Sequence, residues 1–333
     1  MPKPNPHRPF TPDPDQLSQH PGVDGNAING LGERDFRRPR MVYWAPNPSD
    51  IPHGTLQLYF YKQSARNPAF QDSRAERQKV LDAPLPDVAE SARQAAPDVW
   101  TKGLDQFVES GVCDMTGVAE MQPDWVFEGY DIPQSRVIIL GVQHAYDNIR
   151  TAPEDQAGLE VMAQYARAAA AAKAVAGWIR EQGWEAEAVT GPMTGALAMI
   201  PPALACGFGE LGKHGSIINP EFGASFRLSA VLTDAPFAPT PPRDFGIDDF
   251  CTSCRICEDA CPPEALSPVK QTVRGVDKWY VDFEKCLPFF NQTSGCAICI
   301  AECPWSRPGV GMNLAAKLAR RAERLDDEAS AAG

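Results

Sequence analysis

Eight cysteines near the C-terminus constrain this chain more than any other feature of its sequence. The first run is Cys251, Cys254, Cys257 and Cys261, followed by proline, and the second is Cys286, Cys296, Cys299 and Cys303, again followed by proline. The first run has the CxxCxxCxxxCP spacing of bacterial ferredoxins, and the second repeats its CxxCxxxCP end. The pattern therefore predicts a ferredoxin-like module that binds two 4Fe-4S clusters.

The spacing also predicts which thiolates share a cluster. Three closely spaced cysteines bind one cluster, and the fourth reaches the neighbouring one. We therefore assign Cys251, Cys254, Cys257 and Cys303 to cluster one, and Cys286, Cys296, Cys299 and Cys261 to cluster two. Cys286 is the least regular member, because nine residues separate it from Cys296. Zinc and disulfides are the alternatives, but zinc sites usually consist of CxxC pairs without the crossing CP motif.

Net charge and the distribution of apolar residues indicate which partners and which cellular compartment to expect. A net charge of -12 argues against a nucleic-acid surface, which needs clustered basic residues. The single basic run, at 37–40, is interpreted as a solvated loop. No apolar stretch is long enough to span a membrane, and no secretory signal is evident. We therefore expect a cytoplasmic protein with reduced thiols, in which Cys113 and Cys206, in apolar surroundings, are buried and inert.

Residue patterns indicate an α+β chain. Residues 1–50 are rich in proline and have no periodicity, which predicts an extended surface arm without chemistry. Residues 72–110 favour helices interrupted at prolines 84, 86 and 97, and the alanine-rich segment 156–182 predicts a long helix. Segments 136–142 and 226–233 have the composition of strands, the first of them buried. The proline-rich segment after 237 is interpreted as a linker to the cysteine module.

The glycine-rich segment that begins at Gly207 resembles a nucleotide-binding motif in its spacing. Gly207, Gly209 and Gly212 form GxGxxG, but prolines before and after them exclude the strand and helix that a dinucleotide site requires. A phosphate-binding P-loop would need Ser or Thr where His214 stands. We therefore expect these glycines to let the backbone approach another flat cofactor closely.

Residues from about 136 to 308 resemble the cobalamin-dependent reductive dehalogenases, and more distantly the epoxyqueuosine reductases. The resemblance lies in VIILGVQHAYD, EVMAQYARAA, GFGELGKHGSIINPEFGASFR, DFGIDDFC and the final CPWSRPG. It implies base-off cobalamin in an α+β mixed-sheet core, with the iron-sulfur domain packed beside it. The implied reaction replaces a carbon-bound halogen by hydrogen, using two electrons and one proton.

The resemblance also implies roles for particular residues. The family's proton-donating tyrosine falls on Tyr165, and its supporting arginine falls on Arg227. A phenol is protonated at neutral pH, and a guanidinium favours the phenolate that remains after proton transfer. A third polar residue of the family has no clear equivalent, and Thr194 is the nearest candidate. We assign the cofactor-binding residues as follows: Gly207, Gly209, Gly212, His214, Gly215 and Thr194.

Other functions remain open at this point. An epoxyqueuosine reductase would carry an aspartate soon after the tyrosine, where this helix has alanine, and a tRNA substrate would favour a basic surface. A non-catalytic electron carrier would hold the clusters without turnover. Without a twin-arginine signal or a fused reductase module, a cytoplasmic dehalogenase is expected to receive electrons from a separate ferredoxin, flavodoxin or reductase and to act on a small organohalide.

These observations predict the domain organisation. An N-terminal arm (1–50) precedes a cobalamin-binding reductase core (51–243). A ferredoxin-like domain with two 4Fe-4S clusters (244–310) follows, and the chain ends in a helix and tail (311–333).

Overall fold

A computed structural model describes residues 5–191 and 195–331, with side chains up to residue 325. The helices are α1 (Pro14–Leu17), α2 (Gly25–Asn29), α3 (Gly54–Ser64), α4 (Pro68–Asp82), α5 (Pro97–Val108), α6 (Tyr146–Ile149), α7 (Asp155–Glu181), α8 (Ile200–Ala205), α9 (Ile247–Ser253), α10 (Ile256–Ala260), α11 (Phe283–Gln292), α12 (Ile298–Ala301) and α13 (Val310–Ala331). The strands are β1 (Met115–Glu120), β2 (Arg136–Gln143), β3 (Ala186–Val189), β4 (Glu210–Leu211), β5 (Ile217–Ile218), β6 (Phe226–Thr233), β7 (Gln271–Val273) and β8 (Val276–Lys278). The predicted α+β class is confirmed.

The core contains a four-stranded sheet in the order β1-β2-β6-β3. Every neighbouring pair of strands is antiparallel, so the sheet lacks the parallel pairs that the predicted mixed sheet would contain. Strands β2 and β3 run in the same direction on either side of β6, which opposes both. The connection from β2 through α7 to β3 therefore skips one strand position in the sheet, and β6 occupies that position. The predicted strands at 136–142 and 226–233 are both confirmed.

The predicted long helix is α7, which packs across this sheet. Its alanines, including Ala168, Ala172 and Ala176, are buried and let the helix approach the strands closely. The helix ends before Gly183, whose φ of 82° only glycine adopts readily. There the NH of Trp184 donates to the carbonyl of Ile179 at 3.3 Å, which closes the last turn.

Residues 87–96, predicted to be helical, form no helix. Their backbone instead packs against the C-terminal end of α7, where Ala89 and Arg93 donate their NH groups to the carbonyls of Arg180 and Gln182 at 2.9 and 2.8 Å. These NH groups therefore cap the last carbonyls of α7 and do not form the hydrogen bonds of a local helix.

Two apolar clusters cover the two faces of the sheet. Helices α5 and α7 pack on one face, and α8 with the glycine-rich segment packs on the other. Strand β2 is consequently buried on both faces, with Val137 to Val142 all enclosed. A third cluster joins the glycine-rich segment to α9, Trp305 and α13, so the core and the cysteine module share one apolar contact.

The N-terminal arm follows the cysteine module rather than lying free. The Arg8 guanidinium donates to the carbonyls of Glu258 and Cys261 at 2.8 and 2.6 Å, and Leu31 forms a β-bridge with Val273. Of the described helices, none has both the length and the apolar character needed to cross a bilayer.

Candidate functional site

The structure brings together the four cysteines predicted for cluster one. Cys251, Cys254, Cys257 and Cys303 line one small enclosed space, together with residues of the glycine-rich segment. Cys251 lies on α9, Cys254 caps the end of α9, and Cys257 lies on α10. Cys303 is the last cysteine of the second run and precedes the turn at Pro304–Ser306. The fourth thiol therefore comes from the far end of the module, as crossing ligation requires.

The four cysteines predicted for cluster two also lie together. Cys261 is close enough to Cys286, Cys296 and Cys299 for its thiolate to raise the pKa of all three. The irregular Cys286 lies on α11, and the nine-residue gap to Cys296 contains the rest of that helix and a tight loop. In this loop Cys296 and Ala297 have φ of 52° and 67°, in the left-handed region that non-glycine residues rarely occupy.

Burial shapes the chemistry of these thiols. It raises the pKa of Cys257, Cys286, Cys296 and Cys303 to about 12, so the metal-free thiols are protonated at neutral pH. All ten cysteines of the chain are free thiols, and none forms a disulfide. Iron that binds the cysteines of cluster one and cluster two would displace these protons, because metal ions bind thiolates and not thiols.

One buried cation lies beside cluster one. Lys213, 2% exposed, places Nζ 2.6 Å from Oε1 of Glu258 and 2.8 Å from the carbonyl oxygen of Cys254. The same Nζ is 5.0 Å from the centre of the Trp279 ring. The lysine belongs to the glycine-rich segment and Glu258 to α10, so the pair joins the core to the cysteine module.

A cavity of about 710 Å³ lies between the core and the cysteine module. Tyr165 of α7 and Arg227 of β6 line it from the core, and Tyr280 and Val281 line it from the cysteine module. His214 lines both this cavity and the cluster-one space, and therefore stands between them.

Tyr165 and Arg227 meet at the wall of this cavity. The Arg227 Cζ lies 5.0 Å from the centre of the Tyr165 ring, within the range of a cation–π contact. Arg227 opposes Val142 in the β2–β6 ladder, and α7 packs over these strands. The Nε of Arg227 is buried without a hydrogen-bond partner among the described residues. A guanidinium donor and a phenol therefore line the same cavity.

Comparison with known proteins shows which proteins this chain is similar to. Residues 250–306 match the family model of the 4Fe-4S dicluster domain. A tetrachloroethene reductive dehalogenase of Desulfitobacterium hafniense is 33% identical over 240 residues, which cover 68% of this chain and 43% of that protein. The chain is homologous to the reductive dehalogenases. It spans about half the length of the relatives that it matches most extensively.

Two further comparisons show how far this similarity extends. A solved reductive dehalogenase, used to suggest a mechanism for B12-dependent dehalogenation, has the same fold with a TM-score of 0.64 at 20% identity, over 88% of this chain and 45% of that one. An epoxyqueuosine reductase of Bacillus anthracis is 37% identical over 102 residues, only 31% of this chain and 23% of that protein. The predicted resemblance and the ferredoxin-like module with two 4Fe-4S clusters are thereby confirmed.

Only two of the described residues predicted to bind the cofactor line the cavity. His214 and Gly215 line it, and His214 accepts a hydrogen bond from the NH of Ser216 at Nδ1, while its Nε2 is buried without a partner among the described residues. Burial lowers the pKa of His214 to about 4, so the imidazole is neutral at neutral pH. Thr194 lies outside the described residues.

The other predicted glycines pack against protein instead. A Cβ at Gly209 would lie 2.0 Å from the carbonyl oxygen of Ile218, and one at Gly207 would lie 2.7 Å from that of Pro241. Gly212 faces the Ile218 side chain. None of the three lines the cavity. Glycine is required at these positions because another group approaches the backbone closely, as predicted. That group is another segment of the chain and not a cofactor.

Three arginines that line the cavity or lie beside it are not identified by the sequence interpretation, because they precede the region of resemblance. Arg77 of α4 donates to the carbonyl of Gly191, and burial lowers its pKa while the nearby Tyr165 partly offsets that shift. Arg37 and Arg40, interpreted as part of a solvated loop, line the cavity and pair with Glu33 and Glu128. The basic run at 37–40 is the local signal for these two residues, and the prediction of a solvated loop is wrong for them.

The remaining two cysteines lie apart from both groups. Cys113 and Cys206 are 5% and 1% exposed, in the clusters on opposite faces of the sheet. Burial raises the pKa of these thiols to about 11 and about 12, which keeps them protonated. The prediction that both are buried is confirmed.

Proposed function

We propose that this protein is a cobalamin-dependent iron-sulfur reductive dehalogenase, which replaces a carbon-bound halogen by hydrogen with two electrons and one proton. The observation that carries the proposal is the Tyr165–Arg227 contact at the wall of a large cavity beside the cluster-one cysteines. The reaction releases a halide ion and requires an organohalide substrate. The cytoplasmic location and the separate electron-donor protein remain predictions.

The cavity fits a large flat cofactor with polar edges. Apolar side chains such as Leu211, Ile217 and Phe226 line it. Nε2 of His214 and Nε of Arg227, which have no hydrogen-bond partner in the described part of the chain, belong to residues of the same lining. Buried polar atoms are rarely left without partners, so a bound group is expected to satisfy them. His214, Gly215 and Arg227 would hold the corrinoid. Cobalamin, when bound, would supply the low-valent cobalt chemistry that cleaves a carbon–halogen bond.

The chain's own residues account for the proton. Tyr165 would donate it from Oη to the carbon that loses the halogen, because a phenol is the neutral acid that lines this wall. The guanidinium of Arg227 would stabilise the phenolate that Tyr165 becomes. The eight cysteines would hold the two clusters, which supply electrons one at a time. His144, next to Arg227 and neutral through burial, would not compete as a proton donor.

Anaerobic reconstitution with iron, sulfide and cobalamin tests the proposal. We expect about eight irons, since each 4Fe-4S cluster holds four, and one cobalt per chain, with halide release from bromo- or chlorophenols. Tyr165→Phe should retain both metals and lose about 100-fold or more of the turnover, the contribution of a general acid. Tyr130→Phe, at an exposed tyrosine, is the matched control.

Each contrary outcome has a separate meaning. Eight irons without cobalt would refute the dehalogenase and leave an electron carrier. Cobalt without halide release would direct the search to a non-halogenated substrate, such as the epoxide of the related reductases. Unchanged turnover in Tyr165→Phe would remove this residue from the role of proton donor.

A further inference from the structure

The cavity is strongly basic although the chain is acidic. Among the described residues that line it, five have cationic side chains and only Asp124 is acidic. The cations are Arg37, Arg40, Arg227, Arg274 and Lys278. Glu33 and Glu128 neutralise Arg37 and Arg40 from outside the cavity lining. Within the described part of the chain, Arg227, Arg274 and Lys278 have no ion-pair partner.

Two of these unpaired cations lie on the β7–β8 hairpin of the ferredoxin-like module. The turn consists of Arg274 and Gly275, with φ of 50° and 78°, the values of a type I′ turn. The NH of Gly275 donates to the Glu33 carbonyl at 2.9 Å, and the Thr272 carbonyl accepts from the NH of Gly32 at 2.8 Å. The arm therefore fixes the hairpin against the cavity.

The Arg274 guanidinium is held in place by backbone. Its Nη1 donates to the carbonyl of Asn29 at 2.6 Å, and no other side-chain hydrogen bond of Arg274 is found among the described residues. Arg37 is close enough to lower the pKa of Arg274, after the larger effect of burial. The arm thus orients one guanidinium and places a second cation beside it.

Lys278 lies at the end of the same hairpin, half-buried at the cavity wall. No hydrogen bond or ion pair to its ammonium is found in the described ranges. Burial and the nearby Arg274 lower its pKa to about 8. A desolvated cation beside another cation is unfavourable unless an anion accompanies it.

We propose that Arg274 and Lys278 form an oxyanion-binding site on the ferredoxin-like wall of the cavity, and that this site binds a phosphate or carboxylate group of a ligand held there. An ammonium and a guanidinium are the two side-chain cations that bind such groups. This inference rests on the proposed function, because it assigns a second polar contact to ligands of the same cavity.

Two ligands could supply the oxyanion. Cobalamin carries a phosphodiester in its nucleotide tail, whereas cobinamide has the same ring and lacks that group. An organohalide substrate could instead carry a carboxylate, as a halogenated benzoate does. The chemistry is shared, so the experiment separates the sources by the probe used.

Equilibrium binding tests the site, using protein reconstituted anaerobically with iron and sulfide but without corrinoid, and cobalamin, cobinamide and a bromobenzoate as probes. Lys278→Gln is compared with Lys102→Gln, the same change at an exposed lysine of α5, and with Lys278→Arg, which retains the charge. Loss of a charged hydrogen bond should weaken binding about tenfold or more, and Lys278→Arg should restore most of it.

The outcomes distinguish the sources. A loss of affinity for cobalamin and not for cobinamide would assign the site to the phosphodiester. A loss for bromobenzoate, with both corrinoids unaffected, would assign it to a carboxylate of the substrate. If Lys278→Gln behaves like Lys102→Gln with all three probes, the proposal is overturned.

A probe independent of the cofactor separates this inference from the proposed function. If the wild-type protein binds no corrinoid, the dehalogenase proposal fails, but the oxyanion site can still be measured with inorganic phosphate. Phosphate should then raise the melting temperature of the wild type and of Lys102→Gln, and leave that of Lys278→Gln unchanged. Equal shifts in all three proteins would refute the site.

Discussion

Replacing Lys213 by methionine should destabilise the ferredoxin-like module far more than the same change at Lys270. The Lys213–Glu258 pair is 2% and 8% exposed, with N and O 2.6 Å apart. Lys270 pairs with Asp248 at the same distance, but these side chains are 37% and 45% exposed. Both ammonium groups also lie over the Trp279 ring, at 5.0 and 5.7 Å, so the aromatic contact is matched.

The expected magnitudes follow from burial. Removing one member of a buried ion pair leaves the other charge uncompensated and costs about 3–5 kcal/mol. Of the cations that the structure describes, Glu258 would retain only Arg255 as an ion-pair partner, 3.6 Å away and 69% exposed. An exposed pair contributes about 0–1 kcal/mol, so Lys270→Met should be nearly neutral. The double change Lys213→Met with Glu258→Leu removes both charges and should recover most of the loss, because apolar replacement of a buried pair is often neutral.

Urea unfolding of the anaerobically reconstituted proteins measures the effect. Cluster absorbance follows the ferredoxin-like module, and tryptophan fluorescence follows the whole chain. The midpoint of Lys213→Met should fall well below that of Lys270→Met, with the double variant between Lys213→Met and the wild type. Equal midpoints for the two lysine variants would refute this account. So would a double variant as unstable as Lys213→Met, since the cost would then not come from the unpaired carboxylate.

Two further predictions concern the core. Gly209→Ala should cost several kcal/mol or prevent folding, because its Cβ would lie 2.0 Å from a backbone carbonyl oxygen at φ of 143°. Gly129→Ala, with φ of 84° and open space around it, should lose only about 1–2 kcal/mol of strain, and melting temperatures compare the two. Burial, followed by Arg227, lowers the pKa of His144 well below its ordinary value. Its contribution to stability is therefore present above the unfolded-state pKa of about 6.5 and is lost as pH falls, by up to about 1.4 kcal/mol per unit. The difference in urea midpoint between about pH 7.5 and 5.5 should be smaller in His144→Gln, and an equal difference would contradict this prediction.

Elements with strong local signals were predictable from the sequence. Strand β2 is a continuous apolar run because both of its faces are covered, and α7 is rich in the residue with the highest helix propensity. The segment at 87–96 shows where such reasoning fails. Its local preference is helical, but in the fold its backbone caps the end of α7, a contact between segments some 90 residues apart.

The arm shows the same limit at the site itself. Its sequence has no periodicity, so it was given no chemistry. In the structure Arg37 and Arg40 line the cavity, and the arm holds the β7–β8 hairpin through contacts with residues more than 200 positions away. Such docking depends on the shape of the surface that receives it, which no local pattern describes.

By itself, the sequence determined the metal chemistry of this protein and its longest elements. Thiolate spacing must match the geometry of an iron-sulfur cluster, and helix and strand composition reflects contacts within a few residues. Only the tertiary structure decided that Tyr165 meets Arg227, that Lys213 is buried against Glu258, and that cations from the arm and the hairpin share one cavity wall. These contacts join segments far apart in the chain, and their energies depend on burial, which exists only once the chain is packed.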